Sequence, residues 1–282
     1  MDEGVMRVRR SLPPALLAAL LVALPAVAGC TGEDPAPPAS NTTSPTSPPA
    51  PAEPAPRPRA GTCHAMSRAQ ALSPVAGGRQ VPCARRHTAQ TFRVGTLDLV
   101  DDGDPLAVDS PAAQRQPRRA CTAALPAYVG ASARELRLSM VRTIWFTPTV
   151  EEAAAGADWY RCDVVALGVG ERLAPLPRSA RGMLSRSPRP YAVCGTAEPG
   201  TDRFARVPCS ARHSWVAVST VDLRGAGYPT GAAVSEQMSE ACRGAARDRA
   251  DDPLDFSWAE ERPTRQQWES GQRWGTCWAP AG

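Results

Sequence analysis

One short motif occurs twice in this chain, and its repetition constrains the fold more than any other feature. The motif reads Val-Pro-Cys-x3-His and spans Val81–His87 and Val207–His213. Further along, the blocks Pro148–Cys162 and Pro263–Cys277 match in spacing, with threonine, glycine, tryptophan and cysteine at the same intervals after the proline. Two proline-anchored blocks with identical spacing indicate an internal duplication, so the chain is predicted to fold as two similar units.

The length of 282 residues allows about two domains, and the duplication divides the chain accordingly. We predict a signal peptide at 1–29, a lipidated cysteine with a disordered tether at 30–61, a first repeat at 62–168, a linker at 169–190 and a second repeat at 191–282. The linker is assigned from its prolines and its five arginines. Such a segment is typically solvated, contact with an anionic wall polymer being the alternative.

Each repeat shows both strand and helix patterns, so we expect two small, disulfide-bonded α+β domains. Thr91–Leu99 alternates as a strand does, and Ala232–Arg249 carries apolar residues at steps of three and four. The helix of the first repeat is predicted to begin near Pro117 and to kink or end at Pro126, because proline lacks the backbone N–H. Short strands are expected at 80–82, 136–141, 159–167, 256–258 and 274–278, and a short helix at 151–156.

The nine cysteines divide into Cys30, near the N-terminus, and eight that the two repeats share equally. The eight are Cys63, Cys83, Cys121, Cys162, Cys194, Cys209, Cys242 and Cys277. An even number per unit in an exported chain indicates a disulfide framework. Four cysteines allow three connectivities, and the sequence leaves the choice open, although the shortest loops favour first with second and third with fourth. Each such bond would stabilise the fold by about 3 kcal/mol.

The N-terminus carries the features of a bacterial export signal. Three arginines within the first ten residues precede an apolar run, Leu16–Val27, which is too short to span a bilayer. The following Val27–Cys30 resembles a lipobox, which predicts cleavage before Cys30 and lipidation of its thiol. An ordinary secreted protein is the alternative. Acyl chains on Cys30 would hold the protein at the outer face of the cytoplasmic membrane.

The residues between the lipobox and the first repeat, 31–61, consist mainly of proline, alanine, serine and threonine. Such a composition buries no core and predicts an extended, disordered tether. The formal net charge is +4, and arginine supplies every basic side chain. This usage reflects codon bias more than recognition of an anionic polymer, so we expect no nucleic-acid partner.

These landmarks resemble the actinobacterial septum formation domain family. Its members combine the Val-Pro-Cys-x3-His motif, a cysteine in the middle of the domain and a Pro, Trp, Gly, Cys finish. The second repeat carries that finish as Pro263, Trp268, Gly271 and Cys277, whereas the first has Ala153 at the tryptophan position. The resemblance implies an association with cell division or envelope biogenesis, and it implies no catalytic mechanism.

Motifs of the common hydrolases and nucleotide-binding enzymes are missing from the sequence. It has no Gly-x-Ser-x-Gly, His-Glu-x-x-His or Ser-x-x-Lys motif and no glycine-rich phosphate loop. Carboxylate pairs for a glycosidase could come from Asp101, Asp102 and Asp104, or from Glu260 and Glu261, but both groups are expected in solvated loops. We therefore predict a non-enzymatic protein without a catalytic residue. An envelope hydrolase or a metal-binding lipoprotein is the alternative.

Only three histidines, His64, His87 and His213, are available as metal ligands or bases. The last two follow a cysteine in both copies of the motif, which would suit half of a zinc site if the cysteines were reduced. Because exported cysteines in even sets are normally oxidised, we interpret His87 and His213 as structural and expect neither metal nor cofactor.

The seven tryptophans provide the candidate binding surface. Trp159 and Trp274 occur at matching positions in both repeats, so we expect them in the cores. Trp268 and Trp278 lack counterparts in the first repeat and are predicted to form an exposed binding face. The expected partners are a cell-wall polymer or proteins of the division machinery, in addition to the membrane that holds the lipid anchor.

Overall fold

The computed structural model of the chain describes residues 55–74, 77–170, 172–229 and 231–282, without the side chains of residues 232 and 233. Ala50–Gly282 clusters into one compact unit. The predicted signal peptide, Cys30 and the tether up to residue 54 lie outside the described residues. Among the helices in the described ranges, none combines the length and the apolar character needed to cross a bilayer.

Thirteen strands and seven α-helices follow one another along the described residues. The strands are β1 (Cys63–Ala65), β2 (Arg79–Val81), β3 (Ala89–Thr96), β4 (Val100–Asp101), β5 (Asp104–Pro105), β6 (Val141–Phe146), β7 (Trp159–Leu167), β8 (Leu173–Ala174), β9 (Val193–Gly195), β10 (Arg206–Pro208), β11 (Trp215–Asp222), β12 (Ala259–Glu261) and β13 (Trp274–Pro280). The helices are α1 (Arg68–Ala71), α2 (Pro111–Val129), α3 (Ala133–Arg137), α4 (Val150–Ala154), α5 (Met183–Arg186), α6 (Ala232–Arg247) and α7 (Arg265–Glu269), with a 3-10 turn at Arg189–Tyr191. The mixed α+β composition is confirmed.

Two antiparallel sheets organise the molecule and share one strand order. The first sheet runs β2-β1-β3-β7-β6, with β8 added beside β7, and the second runs β10-β9-β11-β13-β12. Their long central strands are irregular at corresponding places, because the register shifts between Thr91 and Arg93 in β3 and between Ala217 and Ser219 in β11. The short hairpin of β4 and β5 forms a separate two-stranded sheet.

The repeated Pro-Thr blocks of the sequence are helix starts. Thr149 and Thr264 are the N-cap residues of α4 and α7, and each hydroxyl accepts a hydrogen bond from the backbone N–H three residues later. The side chains of Glu152 and Gln267 return a bond to the cap residue, which completes a capping box in both helices. The matched spacing in the sequence therefore encodes the same local hydrogen bonds twice.

Helix α2 begins six residues earlier than the predicted start near Pro117 and continues through Pro126. Ser110 caps it, and Pro111 occupies the first turn, where the missing N–H has no intrahelical partner in any case. Five buried side chains recur at four-residue steps and face the first sheet: Ala113, Pro117, Cys121, Leu125 and Val129. This packing, with the Cys121 disulfide, offsets the hydrogen bonds that the two prolines remove.

Two predicted strands are displaced by local structure. Residues 136–141 alternate as a strand would, but Ser132 and Glu135 form a capping box that starts α3, and the strand begins only at Val141. Near the C-terminus, the strand expected at 256–258 is found at Ala259–Glu261 instead. In the first case, the local capping hydrogen bonds of α3 outweigh the strand preference of the alternating residues.

The segment at 169–190, predicted as a solvated linker, packs against the first sheet. Its residues Leu176, Ala180, Met183 and Leu184 are buried in one cluster with α2 and β6, and β8 pairs with β7. The end of the predicted tether is also ordered, since Arg57 donates to the Thr96 hydroxyl at 2.7 Å. Prolines and arginines dominate both segments in the sequence, whereas a few scattered apolar residues decide how the segment at 169–190 packs.

The eight cysteines outside the N-terminal region form four disulfides. The bonds join Cys63 to Cys83, Cys121 to Cys162, Cys194 to Cys209 and Cys242 to Cys277. The first and third connect the edges of neighbouring strands near the Val-Pro-Cys motif. The second and fourth tie the long helices α2 and α6 to the central strands β7 and β13. Each sheet thus has one disulfide between neighbouring strands at its edge and one disulfide to its long helix.

Candidate functional site

The two tryptophans predicted to form an exposed binding face lie in the core, so that prediction is wrong. Trp268 is 3% exposed and packs edge-on against Tyr228, with the guanidinium of Arg273 4.0 Å from its ring centroid. Trp278 is 0% exposed, and its indole N–H donates to Glu261 at 3.2 Å. A lack of counterparts in the first repeat did not mean exposure, because Trp268 packs in the core beside α6 and Trp278 packs in a cluster with Met140 and Val193.

Of the two tryptophans expected in the cores, one is buried and one is partly exposed. Trp159 is 6% exposed in the core of the first sheet. Trp274 is only partly buried, at the start of β13, and it faces helix α3. The guanidinium of Arg137 lies 4.3 Å from the centroid of the Trp274 ring. The tryptophans that line a cavity are therefore Trp159 and Trp274, and neither of the predicted pair does so.

The two sheets meet where the chain approaches β6 and β9. Ser139 and Ala192 form an antiparallel bridge, with flanking backbone bonds from Met140 N to Tyr191 O at 2.6 Å and from Val193 N to Leu138 O at 2.9 Å. Beneath this bridge, Met140, Val193 and Trp278 share a buried apolar cluster. The junction is therefore both hydrogen-bonded and packed.

A cleft of about 480 Å³ opens beside this junction. Its lining comes from both sheets and from helices α2 and α3, namely Thr122, Leu125, Pro126, Ala133, Leu136, Arg137, Val141, Arg142, Thr143, Val193, Arg206, Gln272, Trp274 and Thr276. The volume is in the range of small-ligand sites, and its apolar walls with a few polar groups match their usual composition. The lining holds no carboxylate, histidine or cysteine side chain.

Three arginines give the cleft its electrostatic character, and they differ in their partners. Arg137 pairs with Asp222 at 2.6 Å, and Arg206 pairs with Glu261 at 2.8 Å. Arg142 donates through Nη1 to two backbone carbonyl oxygens, those of Ser139 and Val141, both at 2.7 Å. Within the described residues no carboxylate pairs with Arg142.

The pKa of Arg142 is lowered to about 10, first because the surrounding protein desolvates the guanidinium and second because Arg206 repels its charge. The residue nevertheless exposes a large part of its own surface, which faces the open cleft. Since its pKa stays well above neutrality, Arg142 is a cation at physiological pH. An anion that entered the cleft would gain from replacing the water around this charge.

A second cavity, of about 510 Å³, lies against the first sheet and is lined in part by His64, Trp159 and Arg161. His64 Nε2 lies 3.2 Å from both the Thr62 and Thr91 hydroxyls, and Thr91 donates to Asp163 Oδ1 at 2.7 Å. The sequence analysis did not foresee this polar cluster, because its members come from three different strands or their flanks and follow no motif.

Burial and charge shape the ionisation of this cluster. The pKa of His64 is lowered to about 4 by desolvation, by Arg161 and by His87. Desolvation raises the pKa of Asp163, partly opposed by Arg161, which lies 3.1 Å away. A threonine hydroxyl separates the imidazole from the carboxylate, so the carboxylate does not orient His64 as it would in a serine hydrolase triad. The arrangement suits a structural network of hydrogen bonds.

The two motif histidines make the same local contact. His87 Nδ1 lies 2.8 Å from Arg85 O, and His213 Nδ1 lies 2.7 Å from Ala211 O. Each imidazole thus braces the turn that leads into β3 or β11. No group of three or more His, Cys, Asp or Glu side chains suited to a metal ion occurs in the part of the chain that the structure describes.

The acidic groups considered as a glycosidase pair have separate positions. Asp101, Asp102 and Asp104 lie on the exposed β4-β5 hairpin. Glu260 and Glu261 lie on strand β12 and not in a solvated loop, and they pair with Arg262 at 2.7 Å and Arg206 at 2.8 Å. Successive residues of a strand point to opposite faces, so these two carboxylates do not converge on one substrate.

Comparison with known proteins supports one assignment. Neither the curated proteins nor the solved structures contain a significant match to this chain. A family model described as septum formation matches residues 60–277, which include both sheets and the cleft between them. Because this match covers most of the sequence, the chain belongs to the septum formation family.

Proposed function

We propose that this protein is a non-enzymatic, lipid-anchored envelope protein that binds a ligand or partner during septum formation, and that the cleft between the two sheets is its binding site. The observation that carries the proposal is the position of Arg142, a cation without a carboxylate partner among the described residues, in a cavity built by both sheets. A site of this kind requires both halves of the chain, and the family match spans both halves.

The composition of the cleft favours binding over catalysis. Its lining offers cations, hydroxyls, one indole ring and aliphatic side chains. General acid-base or nucleophilic chemistry needs a histidine, carboxylate, thiol or activated hydroxyl at the site, and the lining provides no base beside its threonines. The cleft therefore has the means to hold a ligand and lacks the means to cleave one.

Gene duplication explains why the site lies at a junction. The matched motifs, the common strand order and the corresponding irregularities of β3 and β11 support two homologous domains. Two copies placed side by side create an interface that neither copy has alone, and the copies then diverge at that interface. Arg142 of the first copy and Trp274 of the second contribute different chemistry to one cavity.

The N-terminal sequence supports the proposed placement of the protein in the cell. The lipobox-like Val27–Cys30 supports lipidation at Cys30, and the proline-rich stretch after it supports a tether that holds the folded part away from the membrane. A tethered binding module on the outer face of the membrane would meet wall polymer and extracytoplasmic division proteins, and it would meet no nucleic acid.

Imaging of a tagged full-length protein in growing cells tests the proposal. We expect enrichment at division sites, and we expect the Cys30→Ser variant to lose it because the variant lacks the acylated thiol. As a control, the Ser40→Ala variant changes the same region without altering the anchor and should behave as the wild type. Uniform distribution of the wild-type protein, with normal division after depletion, would refute a septal role.

A further inference from the structure

The charges of the cleft select the kind of anion it can hold. Arg137 and Arg206 each have a carboxylate partner, Asp222 and Glu261, so both are largely neutralised. Arg142 has none among the described residues, and its positive charge remains uncompensated. A ligand with one negative charge would balance the cleft, whereas a dianionic phosphate would leave excess negative charge in a partly desolvated cavity.

The geometry of Arg142 adds a second constraint. Its Nη1 atom is held by the carbonyl oxygens of Ser139 and Val141, which fixes the guanidinium on the wall of the cleft. No described residue accepts a hydrogen bond from its Nε or Nη2 atoms. A guanidinium presents its free N–H groups in one plane, and a carboxylate can accept from two of them at once.

The rest of the lining defines what the carboxylate is attached to. Leu125, Leu136, Val141 and Val193 form an apolar wall near the charge, and the Trp274 ring faces the same space. Thr122, Thr143 and Thr276 add hydroxyl-bearing side chains around that wall. The Thr143 hydroxyl already donates to the carbonyl oxygens of Ile144 and Asp163, both at 3.4 Å. A purely aliphatic chain would leave the Thr122 and Thr276 hydroxyls without polar contacts, whereas the amide groups of a peptide would satisfy them.

We propose that the cleft binds the C-terminal end of a peptide. Its α-carboxylate pairs with Arg142, its terminal apolar side chain packs against Leu136 and the Trp274 ring, and the preceding amides face the threonine hydroxyls. The proposal rests on the cleft being the binding site put forward above, and it names the ligand class of that site. It is independent of whether the protein acts at the septum.

Fluorescence anisotropy with the purified, oxidised full-length chain tests this proposal. The probe is an N-terminally labelled Ala-Ala-Ala-Ala-Leu peptide with a free C-terminal carboxylate, and its control is the same peptide ended by a carboxamide. We expect the free acid to bind about tenfold more tightly or better, since the amide cannot form the charged pair. This comparison uses the wild-type protein alone, so it does not depend on the folding of any variant.

Substitution of Arg142 then locates the carboxylate. The Arg142→Gln variant should bind the free acid about tenfold to a hundredfold more weakly and should no longer distinguish acid from amide. Arg142→Lys keeps the charge without the planar fork and should give an intermediate affinity. Arg212→Gln changes an exposed arginine outside the cleft and should leave binding unchanged. Far-UV circular dichroism and a count of free thiols verify that each variant is folded and oxidised.

Competition with octanoate and with inorganic phosphate separates the possible ligand chemistries. We expect the unlabelled free-acid peptide to compete better than either. Equal binding of acid and amide, an unchanged affinity in folded Arg142→Gln, stronger competition by octanoate or phosphate, or no binding of the peptide would each overturn the proposal. Peptide binding without septal enrichment would refute the septal role alone, and septal enrichment without peptide binding would refute the ligand class alone.

Discussion

The guanidinium of Arg137 lies 4.3 Å from the centroid of the Trp274 ring, and this contact joins helix α3 beside the first sheet to strand β13 of the second. The same arginine pairs with Asp222 of β11 at 2.6 Å. Nearby, Arg134 donates to the Ser219 hydroxyl at 2.7 Å. Two arginines of helix α3 thus contact the second sheet at the rim of the proposed binding cleft.

A double-mutant cycle measures the interaction between Arg137 and Trp274. Arg137→Gln and Trp274→Leu should each lower the free energy of unfolding, and the two effects should be less than additive by about 0.5–1 kcal/mol, the usual range for a partly exposed cation-π pair. Urea unfolding of the wild type, both single variants and the double variant provides the four values. Arg181 lies 5.0 Å from the Tyr128 ring beside the first sheet, so Arg181→Gln should show no coupling to Trp274. Full additivity of Arg137→Gln and Trp274→Leu would mean that the contact contributes nothing.

The burial of Trp268 predicts a structural effect. Trp268→Ala removes a large side chain that is 3% exposed, so the free energy of unfolding should fall by about 3–5 kcal/mol. Leu254 is 94% exposed, and Leu254→Ala should change the free energy of unfolding by less than about 0.5 kcal/mol. Guanidinium unfolding compares the two variants. A stable Trp268→Ala protein with impaired ligand binding would instead return this residue to the binding surface.

The two kinds of disulfide should differ in accessibility to reductant. Cys121 and Cys162 are completely buried, whereas Cys83 is partly exposed, so limited reduction should open the Cys63–Cys83 bond before the Cys121–Cys162 bond. Alkylation of the released thiols followed by peptide mass spectrometry gives the order. Simultaneous release of all eight thiols would show instead that reduction follows global unfolding.

Loop length predicts the stability that each bond contributes. The Cys121–Cys162 bond closes a sequence separation of 41 residues and the Cys63–Cys83 bond one of 20. In the chain-entropy model these correspond to about 4 and about 3 kcal/mol. Paired alanine substitutions, compared by urea unfolding, should follow that order. A larger fall in the free energy of unfolding for the Cys63–Cys83 pair would contradict this order.

Acid should destabilise the protein through His64. Its pKa is lowered to about 4 in the folded state, from about 6.5 when unfolded, so the unfolded chain binds the proton first as the pH falls. The free energy of unfolding should therefore decline between pH 6.5 and 4, by on the order of 3 kcal/mol from this group. Asp163, with its raised pKa, acts in the opposite direction.

The His64→Gln variant isolates the contribution of the imidazole, because glutamine keeps an N–H donor for the threonines and does not titrate. Urea unfolding at several pH values between 4 and 7 should show a smaller slope in the variant than in the wild type, by as much as one proton. Identical slopes would mean that His64 binds its proton equally well in the folded and unfolded states.

Local features of the fold were predicted well because they depend on neighbours in the sequence. Strand β7 has the bounds expected from the pattern at 159–167, and α6 ends two residues before the predicted limit. Both Pro-Thr blocks precede short helices, since a capping threonine and a side chain three residues later suffice to start them. The presence of disulfides is likewise confirmed.

The errors occurred where distant contacts decide the outcome. The helix was expected to start near Pro117 and to kink or end at Pro126, but packing of the whole α2 face against the sheet keeps both prolines inside it. Trp268 and Trp278 were expected at the surface because the first repeat lacks them, yet each is enclosed by residues far along the chain. Sequence position alone carries no information about what covers a side chain.

The amino-acid sequence by itself determined the α+β composition, the set of cysteines and the capped helix starts, because each arises from residues a few positions apart, and its matched motifs predicted two similar units. Only the tertiary structure decided that Leu173, Leu176, Ala180, Met183 and Leu184 belong to the core and that a cleft forms between the sheets. Arg142, Arg206 and Trp274 are separated by more than sixty residues at each step, and no local pattern relates them. They become one site because the pairing at Ser139 and Ala192 sets one sheet beside the other, and burial then leaves a single charge of the cleft without a partner among the described residues.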